Sequence, residues 1–71
     1  MGAKKGGGLA KNKIKFFREN KRLTLEYVAY VSRISTSYLC QLENGIKTNP
    51  SLKIMEGIAK ALEETINEVF F

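Results

Sequence analysis

Seventy-one residues with a net charge of +5 make one domain with a modest hydrophobic core and a small stability margin. Apolar residues form 44% of the chain, more than a disordered polymer carries, and the single cysteine excludes an intrachain disulfide. Histidine is absent, which removes the commonest general base and argues against both an enzyme and a zinc site, so no metal or other cofactor is expected.

Residues 1–8, MGAKKGGG, hold four glycines and two lysines and read as a flexible arm, either an unattached tail or a basic strand for phosphates. Residues 9–71 then read as one folded unit. From Leu9 the apolar spacing is helical, with Ala10, Ile14 and Phe17 on one face and an end near Asn20–Arg22. Thr24 is a candidate cap for a short second helix bearing Leu25, Val28 and Ala29, and residues 31–34 read as a tight turn. Ser35 is placed to cap a third helix with Leu39 and Leu42 inward, stopped by Asn44-Gly45. Residues 46–50 read as loop, because Pro50 disfavours helix at Asn49. Ser51 then caps a fourth helix with an apolar stripe of Leu52, Met55, Ile58, Ala59 and Leu62. Thr65 to Glu68 has capping-box spacing and opens a last short helix with Ile66 and Val69 inward. The fold class expected is all-α, a five-helix bundle with short connections.

Charge is unevenly spread along this bundle. Residues 1–50 hold ten Lys/Arg against three Glu, whereas residues 51–71 hold two Lys against four Glu. A basic front suits a polyanion, and an acidic back leaves a second face for something else, though lysines also serve plain solubility. The lone cysteine suits a reducing compartment, and no apolar run approaches the ~20 residues of a membrane span. Without an apolar signal segment at the N-terminus, the expectation is a cytoplasmic protein with no membrane partner.

Residues 23–45 place two short helices three to five residues apart around a turn too tight for an antiparallel hairpin, which is helix-turn-helix spacing. The identities sharpen it: Ile14-x-x-Phe17-Arg18, Leu23-Thr24, Val28-Ala29, Ile34-Ser35, Leu39-x-x-Leu42-Glu43-x-Gly45, Pro50-Ser51, Ile58-Ala59-x-Ala61-Leu62 and Val69-Phe70. In this order they resemble the Xre family, the fold of phage lambda-type repressors and Cro proteins, across residues 14–70. The run Thr36-Ser37-Tyr38-Leu39 followed by Thr48-Asn49-Pro50-Ser51 is most similar to repressors of the SinR type.

The resemblance implies motif helices at 25–32 and 36–44, with the second in the major groove of double-stranded DNA. It assigns base contacts to Thr36, Ser37 and Gln41, with Tyr38 at the groove wall. Residues 37 and 41 lie one turn apart and share a face, while Leu39 and Leu42 point to the core. A glutamine such as Gln41 pairs two ways with adenine. The hydroxyls of Thr36 and Ser37 suit either a base or a phosphate. Phosphate contacts fall on the helix start at Thr24 and Leu25, and on Arg33, Asn44, Lys47 and Thr48. Leu25 stands where the family often has glutamine, which shifts that contact to backbone. The family also pairs the arginine at position 18 with the glutamate at position 43, fixing the angle between the two helices that carry them. Glycine is frequent in the family where this chain has Arg22, Arg33 and Glu63. At Arg33 either the turn takes another geometry or the chain tolerates a left-handed residue.

Cys40 reads as a small, half-buried filler rather than a redox switch, since nothing basic is patterned beside it. Phe16, Phe70 and Phe71 read either as a partner patch or, for at least one ring, as core. The function expected is sequence-specific binding of double-stranded DNA by a small transcriptional regulator, a repressor reading a palindromic operator as a homodimer. The C-terminal helices, residues 52–71, are the expected dimer or protein-partner surface. The competing class is a protein-interaction module of the same fold, an antitoxin or an antagonist of another regulator.

Overall fold

The computed structural model describes residues 12–71. The readings made for residues 1–8 and for Leu9 and Ala10 lie outside them. Five helices follow in order: α1 (Ile14–Asn20), α2 (Leu25–Ser32), α3 (Thr36–Glu43), α4 (Leu52–Leu62) and α5 (Ile66–Phe70). Among the described residues there is no strand, and no helix is long and apolar enough to cross a membrane.

The helix starts are set by short polar side chains. Thr24, Ser35, Ser51 and Thr65 all take extended backbone, and each accepts a hydrogen bond from the N–H three residues on. Each such cap contributes about 1 kcal/mol over alanine. The start of α1 is different. Lys13 precedes it without a side-chain cap, and Asn12 Oδ1 accepts from the Ile14 N–H at 3.1 Å instead.

The helix ends share one device. After α1, α2, α3 and α4 a residue enters the left-handed region, at Arg22 (φ 57), Arg33 (φ 62), Gly45 (φ 77) and Glu63 (φ 59). In each case the next N–H reaches back five residues: Leu23 to Arg18, Ile34 to Ala29, Ile46 to Gln41 and Glu64 to Ala59, at 2.9 to 3.0 Å. These are Schellman closures, which satisfy carbonyls that a helix end leaves bare. Glycine suits the left-handed position, yet it occupies one of the four. At Arg33 the tight turn therefore keeps the left-handed geometry, and the chain carries the strain. Helix α2 also runs through Val31 and Ser32, so the turn begins two residues later than the apolar pattern alone suggests. Its corner is made by backbone conformation at residue 33 and not by a break in periodicity.

The core is built from Ile14, Val28, Ala29, Leu39, Leu42, Ile58, Ala59, Ala61, Leu62 and Val69. Phe17, Leu23, Ile34, Ile54, Ile66 and Phe70 pack around it. The most extensive packing is α2 against α4, and there Gly57 lets the helices close up: an added Cβ would sit 3.4 Å from the Ser32 Cα. The Ser32 hydroxyl is buried at this contact without a hydrogen-bond partner.

Three expectations are corrected. Leu52 is exposed, and Ile54 takes its place against the core, because six residues before Ile58 is off the buried face of a helix. Cys40 is exposed and not half-buried. As the neighbour of Leu39 it stands about 100° round the helix, off the buried face. Phe16 and Phe71 are exposed while Phe70 packs on the core, so one of the three rings fills it. Phe16 stands edge-on to Phe17, with ring centroids 5.2 Å apart.

Candidate nucleic-acid interface

Helix α3 presents its outer side by fixing its inner side at three places. Leu39 and Leu42 are fully buried. Ser35 closes the first turn by accepting from the Tyr38 N–H at 3.0 Å. At the last turn, Glu43 turns inward to Arg18 of α1: Arg18 Nε donates to Oε2 at 2.6 Å and Nη2 donates to Oε1 at 3.2 Å. Arg18 Nη1 also donates to the Leu23 carbonyl at 3.0 Å, which ties the pair to the turn before α2. The two side chains are 15% and 5% exposed. Glu43 raises the Arg18 pKa by accepting these hydrogen bonds, against the lowering effect of burial. The guanidinium and the carboxylate satisfy each other's hydrogen-bonding groups across this two-pronged contact.

The consequence for α3 is electrostatic. Glu43 is its only acid, and that acid faces inward. The outer side therefore carries Ser37, exposed, and Gln41, half-buried, and no carboxylate; Thr36 is half-buried in the first turn, and Tyr38 is half-buried with its side chain packed against the core. Among the described residues these four side chains enter no ion pair and donate or accept no side-chain hydrogen bond. Ser37 and Gln41 lie one turn apart on this side, as the spacing requires.

The phosphate candidates fall into two groups at either side of α3. Arg33 is exposed at the left-handed corner before it, and Lys47 and Thr48 are exposed in the loop after it. Thr24 is exposed at the start of α2, with its hydroxyl oxygen already accepting from the Tyr27 N–H. Leu25 packs its side chain on the core, so only its backbone N–H can serve an anion. Asn44 is committed to its own helix: Nδ2 donates to the Cys40 carbonyl at 2.9 Å and lies 3.4 Å from the Cys40 sulfur.

Two residues that bear on this surface escaped the sequence reading. Glu26 stands exposed in the first turn of α2, where its charge opposes an anion at the same N–H groups. Its position one residue past Leu25 was the available signal. Asn12 joins α1 to the end of α3 by donating from Nδ2 to the Leu42 carbonyl at 2.9 Å. No local pattern links residues 30 apart.

A profile of the helix-turn-helix family matches residues 14–69. The chain is a helix-turn-helix protein of the Xre family. It is 33% identical over 57 residues to the HTH-type transcriptional regulator SlrR of Bacillus subtilis, covering 80% of this chain and 38% of SlrR. It is 29% identical to the transcriptional regulator SinR of the same organism, over 78% of this chain and 50% of SinR. The chain thus spans half or less of these two relatives. Among solved structures, the restriction-modification controller protein C.AhdI of Aeromonas hydrophila superposes with a TM-score of 0.74 at 30% identity, over 79% of this chain and 83% of that one. SinR in complex with DNA superposes with a TM-score of 0.72, over 78% of this chain and 87% of that one. The Xre-family chain therefore has the lambda repressor-like fold, and its likeness to the SinR type extends from sequence to backbone.

Proposed function

We propose that this Xre-family chain binds double-stranded DNA in a sequence-specific manner as a transcriptional regulator, a repressor that reads a palindromic operator as a homodimer. The observation that carries the proposal is the outer side of α3, polar, uncovered by the described chain and free of carboxylate because Glu43 is turned to Arg18. Thr36, Ser37 and Gln41 read base edges there, and Tyr38 lies against the groove wall. Arg33, Lys47 and Thr48 hold phosphates, with the backbone N–H groups at Thr24 and Leu25, and Asn44 contributes by donating from Nδ2 once that amide turns from Cys40 to the phosphate. The likeness to SinR bound to DNA supports this docking.

The homodimer rests on the C-terminal helices. Residues 51–71 reverse the charge of the chain, and Leu52 and Phe71 are exposed there. Two such chains place their α3 helices on half-sites about one helical turn, ~34–36 Å, apart. A sedimenting mass of one chain, with and without DNA, overturns the dimer.

Selection of bound duplexes from a random pool tests the reading as a whole. A recovered two-fold consensus, with binding that falls as salt rises, is the expected result. Equal weak binding to selected and random duplex instead favours a protein-interaction module of the same fold.

A further inference from the structure

Helix α3 is held to α1 by little backbone packing, so polar side chains carry much of their relative placement. Arg18 at the end of α1 holds Glu43. At the other end Asn12 holds Leu42, the residue next to it: Nδ2 donates to the Leu42 carbonyl at 2.9 Å, while Oδ1 accepts from the Ile14 N–H at 3.1 Å. One amide thereby satisfies a bare N–H at the start of α1 and reinforces a terminal carbonyl of α3, which also accepts from the Gly45 N–H at 3.2 Å. The chain beside Asn12 is itself anchored, since the Lys13 N–H donates to the Val69 carbonyl of α5 at 2.7 Å.

We propose that Asn12 is a positioning residue for the base-reading helix: together with Arg18 it makes a two-point brace that fixes the tilt of α3 against α1. This rests on the DNA-binding reading of α3. The buried Leu39 and Leu42 and the Glu43 contact seat α3 in the bundle, and a second polar contact at Leu42, made from just before α1, restricts the tilt that apolar packing leaves. Asn12 stands two residues before α1, and Arg18 is in the second turn of that helix. Ser37 lies roughly 7 Å along α3 from Leu42, so a tilt of about 10° displaces it by about 1 Å. Hydrogen bonds to base edges tolerate less than that, while phosphate contacts from long cationic side chains absorb it. Asn12 therefore acts on sequence discrimination more than on affinity for DNA in general.

The test uses Asn12→Ser, which keeps an oxygen near the Ile14 N–H but is too short to reach Leu42, beside Asn12→Ala. Both are assayed at a temperature where circular dichroism shows them folded. The readout is the ratio of affinities for a duplex selected by the wild-type chain and for a scrambled duplex of the same length. The expected result is a fall of about tenfold in that ratio, the order of one lost base contact, with scrambled-duplex affinity and salt slope unchanged. An unchanged ratio in both variants overturns the proposal. Residual dipolar couplings of the free protein provide a second readout that needs no DNA. They should report an altered α1–α3 angle in Asn12→Ser, and identical couplings overturn the brace. A wild-type chain that fails to prefer any duplex sinks the DNA reading instead, so the two failures are told apart.

Discussion

Arg18 and Glu43, 25 residues apart, form a two-pronged ion pair at 2.6 and 3.2 Å that joins α1 to the last turn of α3. The pair keeps the one acid of α3 off the outer surface of that helix. Its energetic value depends on both members being present, because desolvation of each charge is offset by the other.

A double-mutant cycle should expose that dependence. Arg18→Met alone leaves a buried carboxylate unpaired and should cost about 3–5 kcal/mol, a large share of the stability of a domain this small. Glu43→Leu alone should cost a similar amount, and the double variant far less than their sum. Urea unfolding of the four proteins measures the coupling, and simple additivity would show the pair to be structurally idle.

The left-handed corners should respond to glycine in a definite order. A non-glycine residue there carries about 1–2 kcal/mol of strain. At Arg22 and Arg33 the cation lies at a helix C-terminus, where the dipole favours it, whereas Glu63 puts an anion in the same setting. Glu63→Gly should therefore stabilise most, by about 1–2 kcal/mol, and Arg33→Gly by about 1 kcal/mol. Thermal melts rank them, and a loss of stability at Glu63→Gly would contradict the assignment.

Ser32 offers a separate gain. Its hydroxyl is buried beside Gly57 with no partner. Ser32→Ala removes the unsatisfied group with little change of volume and should stabilise by about 1 kcal/mol. A destabilised variant would mean that the hydroxyl has a partner, such as an ordered water.

The proposed base readers and phosphate holders should separate by their salt dependence. Ser37→Ala and Gln41→Ala should each weaken binding to a selected duplex about tenfold and leave the salt slope intact. Lys47→Ala should weaken all duplexes alike and lower the slope by about one. Titrations at several salt concentrations distinguish the two classes, and a changed slope for Gln41→Ala would move that residue to the phosphates.

The starts of α2 to α5 were legible because a Ser or Thr cap is a local signal: Thr24, Ser35, Ser51 and Thr65 each act within three residues of themselves. The ends were harder. Arg33 and Glu63 argue against the left-handed turns they occupy, and only the Schellman hydrogen bonds show that tertiary packing of Ile34 and neighbouring core overrides the residue preference. Leu52 was misplaced because an apolar residue in a first turn satisfies the composition of a stripe without sharing its angle. The outer residues of α3 follow from their spacing against Leu39 and Leu42, and the Arg18–Glu43 contact from family resemblance alone. Asn12 has no signal of either kind, since its partner is brought near only by the completed fold.

The four hydroxyl caps also bear on how quickly the chain reaches its native state. Every helix they begin can start within its own few residues, and the Schellman turns link neighbours over short stretches of backbone. A search assembled from such nearby steps is fast, with a barrier set mainly by docking of preformed segments, which places folding on the microsecond-to-millisecond scale of small helical proteins.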